Sequence, residues 1–188
     1  MPSIETEILT VLDPAQRENA LAFTAYLREN GLTPRRWFGP GFWIVPSENG
    51  NLFGIHFYGL NPKANNRGWV LWFFAGPYSD SKDQELAEFV WAHVGRCVKC
   101  DAACASQGVD MSFFGRSFTK VCYQFPVRVD NPDRGETEKV KKLIDFWKGA
   151  AANSRGVFAL AVNKIADGSL QDIVNNTERG RGGCRANG

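Results

Sequence analysis

Apolar positions recur at helical spacing in several stretches of this chain and alternate with polar or glycine positions in others. From Asp13 onward the signs of a helix are dense. Asp13 is a cap residue, Pro14 suits the first helical position, and Gln16 stands where a capping box needs a glutamine or glutamate. Ala20, Phe23 and Leu27 then recur every three or four residues, and Gly31 supplies a left-handed stop. The spacing predicts a helix over about 14–30, with Ser3 to Leu12 as a shorter helix candidate before it.

The period then changes to two. Phe42 to Val45 is a short strand candidate ending at Pro46. Leu52 to Tyr58 follows a Ser-Glu-Asn-Gly-Asn turn, so the two pair as a hairpin. Phe53, Ile55 and Phe57 share one face of the second strand, and Gly54, His56 and Tyr58 share the other. Trp69 to Ala75 is apolar on both faces, as a central strand covered on both sides should be.

After Gly76-Pro77, Ser81 and Gln84 form a second capping-box pattern. Leu86, Phe89, Val90, His93, Val94 and Cys97 fall on one helical stripe, with an end expected near Gly95. A fourth strand is expected from about Thr119 to Val129, with Pro126 at an edge or bulge. Asn131-Pro132-Asp133 turns the chain into a last amphipathic helix whose Val140, Leu143, Ile144 and Trp147 face inward. The fold class expected is α+β, an antiparallel sheet of about four strands with helices packed mainly on one face. Residues 1–148 read as one domain and 149–188 as a poorly defined extension, with glycine and arginine predicting disorder from about 177.

Charge narrows the function classes. The chain carries 22 basic and 20 acidic side chains, and no block of it forms a basic funnel for phosphates. Arg179, Arg181 and Arg185 lie among glycines and read as a solvated end, which argues against a nucleic-acid partner. The longest apolar run, Trp69 to Ala75, is far short of the roughly 20 residues a membrane helix needs. Glu5 and Glu7 occupy the place of a basic leader region, so the chain reads as cytoplasmic, without a membrane partner.

In that compartment five cysteines are thiols, metal ligands or redox groups rather than disulfides. Four of them are spaced Cys97-x-x-Cys100-x-x-x-Cys104 and then Cys122 on the predicted fourth strand. Three thiols in one short stretch plus a fourth from elsewhere is the type of set that closes a tetrahedral zinc site. Within Thr119 to Phe125 the apolar phase is Val121, Tyr123 and Phe125, and Cys122 falls in the other phase, where a cysteine serving as a core filler should not sit. The alternative is that 97–104 continues the helix. Cys97 and Cys104 would then be about 10 Å apart, too far for one ion. His93 is a substitute ligand four residues earlier, and Cys184 a surface thiol. A redox pair lacks a thioredoxin-like βαβ context, and an iron–sulfur cluster has only the four thiols in its favour.

Six tryptophans and fourteen phenylalanines are a heavy load, and most of them belong to a core. Trp43, His56 and Tyr58 are the exceptions, placed on or near the second face of the sheet, where rings and polar tips suit a small planar ligand. His56 is an acid–base candidate without an evident carboxylate or nucleophile partner.

Phe113-Phe114-Gly115-Arg116-Ser117-Phe118-Thr119-Lys120-Val121-Cys122, then Asn131-Pro132-Asp133 and an amphipathic helix, resembles a group of uncharacterised bacterial proteins. In that group a C-x-x-C segment precedes a phenylalanine-glycine-lysine-x-phenylalanine box ending in cysteine, an asparagine-proline-aspartate turn and a lysine-rich helix. The resemblance covers about residues 40–148, with Arg116 in place of the lysine. It implies a paired cysteine site through Cys97, Cys100 and Cys122, and no activity.

The function expected is a non-enzymatic module for a small molecule or protein, held by a four-cysteine structural zinc site. The alternatives are a thiol- or His-dependent enzyme and a nucleic-acid-binding zinc loop.

Overall fold

The structure, a computed structural model, describes residues 2–37, 39–47, 50–58, 68–74, 83–97 and 108–153. In chain order the elements are α1 (Ile4–Val11), α2 (Pro14–Glu29), β1 (Arg35–Arg36), β2 (Phe42–Ser47), β3 (Gly50–Tyr58), β4 (Gly68–Phe73), α3 (Gln84–Ala92), β5 (Val109–Phe113), β6 (Arg116–Val121), β7 (Val127–Asp130) and α4 (Arg134–Asn153).

Local chemistry sets the helix ends. Ser3 caps α1, and Asp13 caps α2 by accepting from the Gln16 amide at 2.9 Å. Only half of that second box closes, because the Gln16 Oε1 is buried without a hydrogen-bond partner. Gly31, at φ +73°, ends the helix while the Leu32 N–H reaches back to the Leu27 carbonyl. Before α3 the cap is Asp83, not Ser81: its carboxylate accepts from the Leu86 N–H at 3.0 Å. The capping box of α4 is complete. The Asp133 carboxylate accepts from the Glu136 N–H at 2.7 Å, and the Glu136 carboxylate accepts from the Asp133 N–H at 3.0 Å.

The main sheet is antiparallel with order β1-β2-β3-β4-β7, and β5 and β6 form a separate hairpin. Its register sorts the rings between two faces. Trp43 lies opposite Ile55, Val45 opposite Phe53, and these continue to Leu71 and Phe73 and then to Val129 and Val127. This face shares one buried cluster with the inward side chains of all four helices, Ile8, Phe23, Leu27, Val90, Leu143 and Ile144 among them. Ile44, Val70 and Trp72 point the other way and are buried outside that cluster. Every residue of β4 is buried, as its two apolar faces predict. Each large apolar side chain so removed from water stabilises the fold by about 1.5–3 kcal/mol.

Three expectations change. The predicted fourth strand is two strands. The segment 93–97 pairs with both, through Val94 opposite Val127 and Arg96 opposite Val121, while 122–125 bulges out between them. The β5–β6 hairpin has no counterpart in the sequence reading, and neither does β1. The last helix runs on to Asn153, so a boundary at 148 falls inside an element. The rest of the extension, 154–188, lies outside the described residues.

Candidate functional site

The side of the sheet away from the main core holds two of the candidates, His56 and Tyr58, among rings from the neighbouring strands. His56 on β3 stacks on Phe42 of β2, with ring centroids 3.7 Å apart and planes at 16°. The register makes this contact, since the two residues are direct cross-strand partners. Trp72 lies 5.2 Å from the His56 ring, and Tyr58 meets it edge-on at 4.7 Å. The bulged segment folds over the same side: Phe125 sits 4.8 Å from Trp72 and 6.0 Å from Phe74, which in turn meets Trp37 at 5.9 Å. The rings therefore form a continuous chain from Tyr58 to Trp37.

Trp43 is not among them. It pairs with Ile55 and is buried in the main core, where its indole N–H donates to Glu7 at 2.6 Å. The sequence reading misplaced it by one position, and in a strand one position is the opposite face. Phe42 occupies the place expected for it.

Burial sets the state of the imidazole. The His56 Nδ1 is buried with no hydrogen-bond partner. Loss of solvent, aided by the nearby Arg128 charge, lowers its pKa to about 4. His56 is therefore neutral at pH 7. A catalytic imidazole is usually oriented through its second nitrogen, and no described residue orients this one through Nδ1.

Arg128 closes the far edge of the site. It is the β7 residue opposite Trp72. Its Nε and Nη2 donate to Asp130 at 2.6–3.0 Å, and Nη2 also donates to the Tyr58 hydroxyl at 2.8 Å. Burial opposes the guanidinium charge, but Asp130, Tyr58 and Cys122 together hold its pKa above the ordinary value. Burial likewise pushes the Tyr58 phenol up to about 12, against the pull of Arg128.

The cysteines approach this edge. Helix α3 stops at Ala92, and the chain turns extended because its backbone finds strand partners. The Arg128 N–H donates to the His93 carbonyl at 2.9 Å, the Gly95 N–H to Pro126 at 2.8 Å, the Cys97 N–H to Lys120 at 2.7 Å and the Cys122 N–H to Gly95 at 2.8 Å. Cys97 is thus on an extended segment and not on a helical stripe. Val94 lies opposite Val127 and Arg96 opposite Val121, so the segment that carries Cys97 runs beside both β7 and the end of β6. The two cysteines are diagonal neighbours across the Arg96–Val121 pair, a spacing of about 7–8 Å between backbones. Both are part-exposed.

Cys100, Cys104 and Cys184 lie outside the described residues. Among the described residues no group of three or more His, Cys, Asp or Glu side chains is placed to hold a metal ion.

His93 belongs to a different contact. Its Nδ1 lies 2.8 Å from the Phe89 carbonyl, so that nitrogen donates, and Nε2 lies 3.2 Å from Glu136. Both nitrogens are engaged between α3 and α4, away from the thiols. Cys122 lies just past the strand, since β6 ends at Val121, and Tyr123, expected in the apolar phase, is 56% exposed. Phe42, Trp72, Phe125 and Arg128 complete the site and were not singled out in the sequence. The two-sided apolar character of 69–75 was a signal for Trp72 alone, while Phe42, Phe125 and Arg128 reach the site through strand register and the bulge before β7.

No helix among the described residues is long and apolar enough to cross a membrane. No family model, curated protein or solved structure matches the chain.

Proposed function

We propose that this chain is a non-enzymatic binding module. Its ring-lined sheet face receives a small planar ligand or a protein segment, and a thiolate-held zinc anchors the edge of that face. The observation that carries the reading is convergence. Cys97 and Cys122, far apart in sequence, stand on neighbouring segments joined by backbone hydrogen bonds, and Arg128, whose N–H bonds the His93 carbonyl of the same segment, holds the Tyr58 hydroxyl.

The zinc half follows from ligand chemistry. Thiolates are the preferred structural ligands of zinc, and two of them on paired backbones form half of a tetrahedron. Cys100 and Cys104, by their spacing from Cys97, are the residues that would complete it. The ligand half follows from the rings. A neutral imidazole stacked on Phe42, beside Trp72 and the Tyr58 hydroxyl, offers an apolar wall with polar tips.

Elemental analysis of the full chain, purified without chelator, tests the anchor. The expected result is about one zinc per chain, falling several-fold in Cys97→Ser and in Cys122→Ser. Less than roughly a tenth of an equivalent of zinc, with every thiol freely titratable, overturns it.

A further inference from the structure

We propose that the ring-lined face takes a small, uncharged planar ring whose edge carries a carbonyl oxygen, held by Arg128 and the Tyr58 hydroxyl. The inference rests on the ligand half of the reading above and gives that ligand a chemical class.

The hydrogen bonds already made at the face decide which remain for a ligand. Asp130 accepts from Nε and Nη2 of Arg128 at 2.6–3.0 Å. Nη2 also donates to the Tyr58 oxygen at 2.8 Å, a bond that spans β4 from β7 to β3. Nη1 makes no hydrogen bond with any described residue. The Tyr58 hydroxyl is the acceptor in its bond to Arg128, so its own proton is still there to donate. Two donors are left on neighbouring groups, and a carbonyl oxygen, with two lone pairs, can accept from both.

Charge selects the carbonyl over an acid. Asp130 already matches the guanidinium, and among the described residues Arg128 is the only cation whose charge bears on His56 and Tyr58. His56 is neutral at pH 7 and adds no second positive charge. A ligand carboxylate on Nη1 would share one guanidinium with the Asp130 carboxylate and be repelled by it, whereas a carbonyl uses the same donors without that cost. The rings supply the rest of the contact. Phe42, His56, Tyr58 and Phe125 are each half-buried and so keep surface toward solvent, with the buried Val70 and Trp72 between them. A planar ring meets such a surface by offset or edge-on stacking.

Acetophenone and benzoate are the probes, since both carry a carbonyl on a phenyl ring and they differ in charge. Each is titrated at neutral pH into isotope-labelled full-length protein, and the NMR resonances of Phe42, His56, Tyr58, Trp72 and Arg128 are followed. Acetophenone is expected to shift these resonances and to bind about fivefold tighter than benzoate or better. Tyr58→Phe and Arg128→Gln should each weaken acetophenone about fivefold, as the loss of one hydrogen bond does. Circular dichroism reports the folding of both variants, and the comparison of the two probes on the wild type needs no variant. Benzoate bound as tightly as acetophenone, or tighter, overturns the inference and leaves the ring-face reading standing. Unchanged acetophenone affinity in either folded variant does the same. If neither probe moves these resonances up to its solubility limit, the ligand half of the reading falls together with the inference.

Discussion

His56 should make the protein lose stability as acid is added, by an amount that can be worked out from its surroundings. Folded, its pKa is about 4, because the ring is desolvated and Arg128 is near. Unfolded, it returns to about 6.5. The unfolded chain therefore binds the proton more readily, and stability rises with pH across the interval between the two values. Above about pH 6.5 the group costs nothing. The loss accumulates as pH falls from about 6.5 to about 4 and is constant below that. A gap of about 2.5 pH units at about 1.4 kcal/mol each sets a ceiling between about 3 and 4 kcal/mol. The ring is part-exposed, so solvent screening lowers the expected loss to about 2 kcal/mol.

The perturbation is His56→Phe, which keeps an aromatic ring on Phe42 and removes both the titrating group and the unpartnered Nδ1. Urea unfolding of both proteins between pH 4 and 7.5, under reducing conditions and fixed metal content, gives their difference in stability. Carboxylates common to both cancel in that difference. It should be flat above pH 6.5 and shift by about 2 kcal/mol toward the variant by pH 4. A difference constant within about 0.5 kcal/mol over the whole range, or a folded-state titration of His56 near 6.5, would show that the folded chain does not desolvate this ring.

Two further outcomes follow from buried polar contacts. Glu7, only 3% exposed, accepts from Trp43 at 2.6 Å and Arg36 at 2.5 Å, so Glu7→Ala should cost about 3–5 kcal/mol and Glu7→Gln clearly less. An alanine variant whose urea midpoint matches wild type would mean that both donors find water. A Cβ on Gly68 would run into the Asn131 side chain, which accepts from the Trp69 N–H at 2.8 Å, so Gly68→Ala should cost about 1–3 kcal/mol. In the double variant Gly68→Ala/Asn131→Ala the two costs should be less than additive, and strict additivity in a thermal melt would show that the residues do not compete.

The strands were legible because alternation is a local property. Phe53, Ile55 and Phe57 reveal their shared face without reference to any neighbour. Register is not local. Whether Phe42 or Trp43 meets His56 depends on how β2 slides along β3, and the turn between them does not state it. The β5–β6 hairpin was hidden for another reason. Its turn places Phe114 at φ 46° and Gly115 at φ 76°, a left-handed pair that Asn-Gly usually marks. Phenylalanine is held there by burial and by an edge-on contact with Phe146 at 5.3 Å, both of them tertiary.

The same distinction governs the site. Leu86, Phe89, Val90, His93, Val94 and Cys97 form a helical stripe on paper, yet the helix stops at Ala92. From Val94 on, strand partners for the backbone outweigh the pattern, with hydrogen bonds to Pro126, Lys120 and Cys122. That single change of conformation takes Cys97 off the helix and onto an extended segment beside β6 and β7. In the sequence the thiols and the rings are separate patterns. The pairing of 93–97 with the interrupted strand brings the backbones of Cys97 and Cys122 alongside β7, whose Arg128 holds the Tyr58 hydroxyl of the ring set.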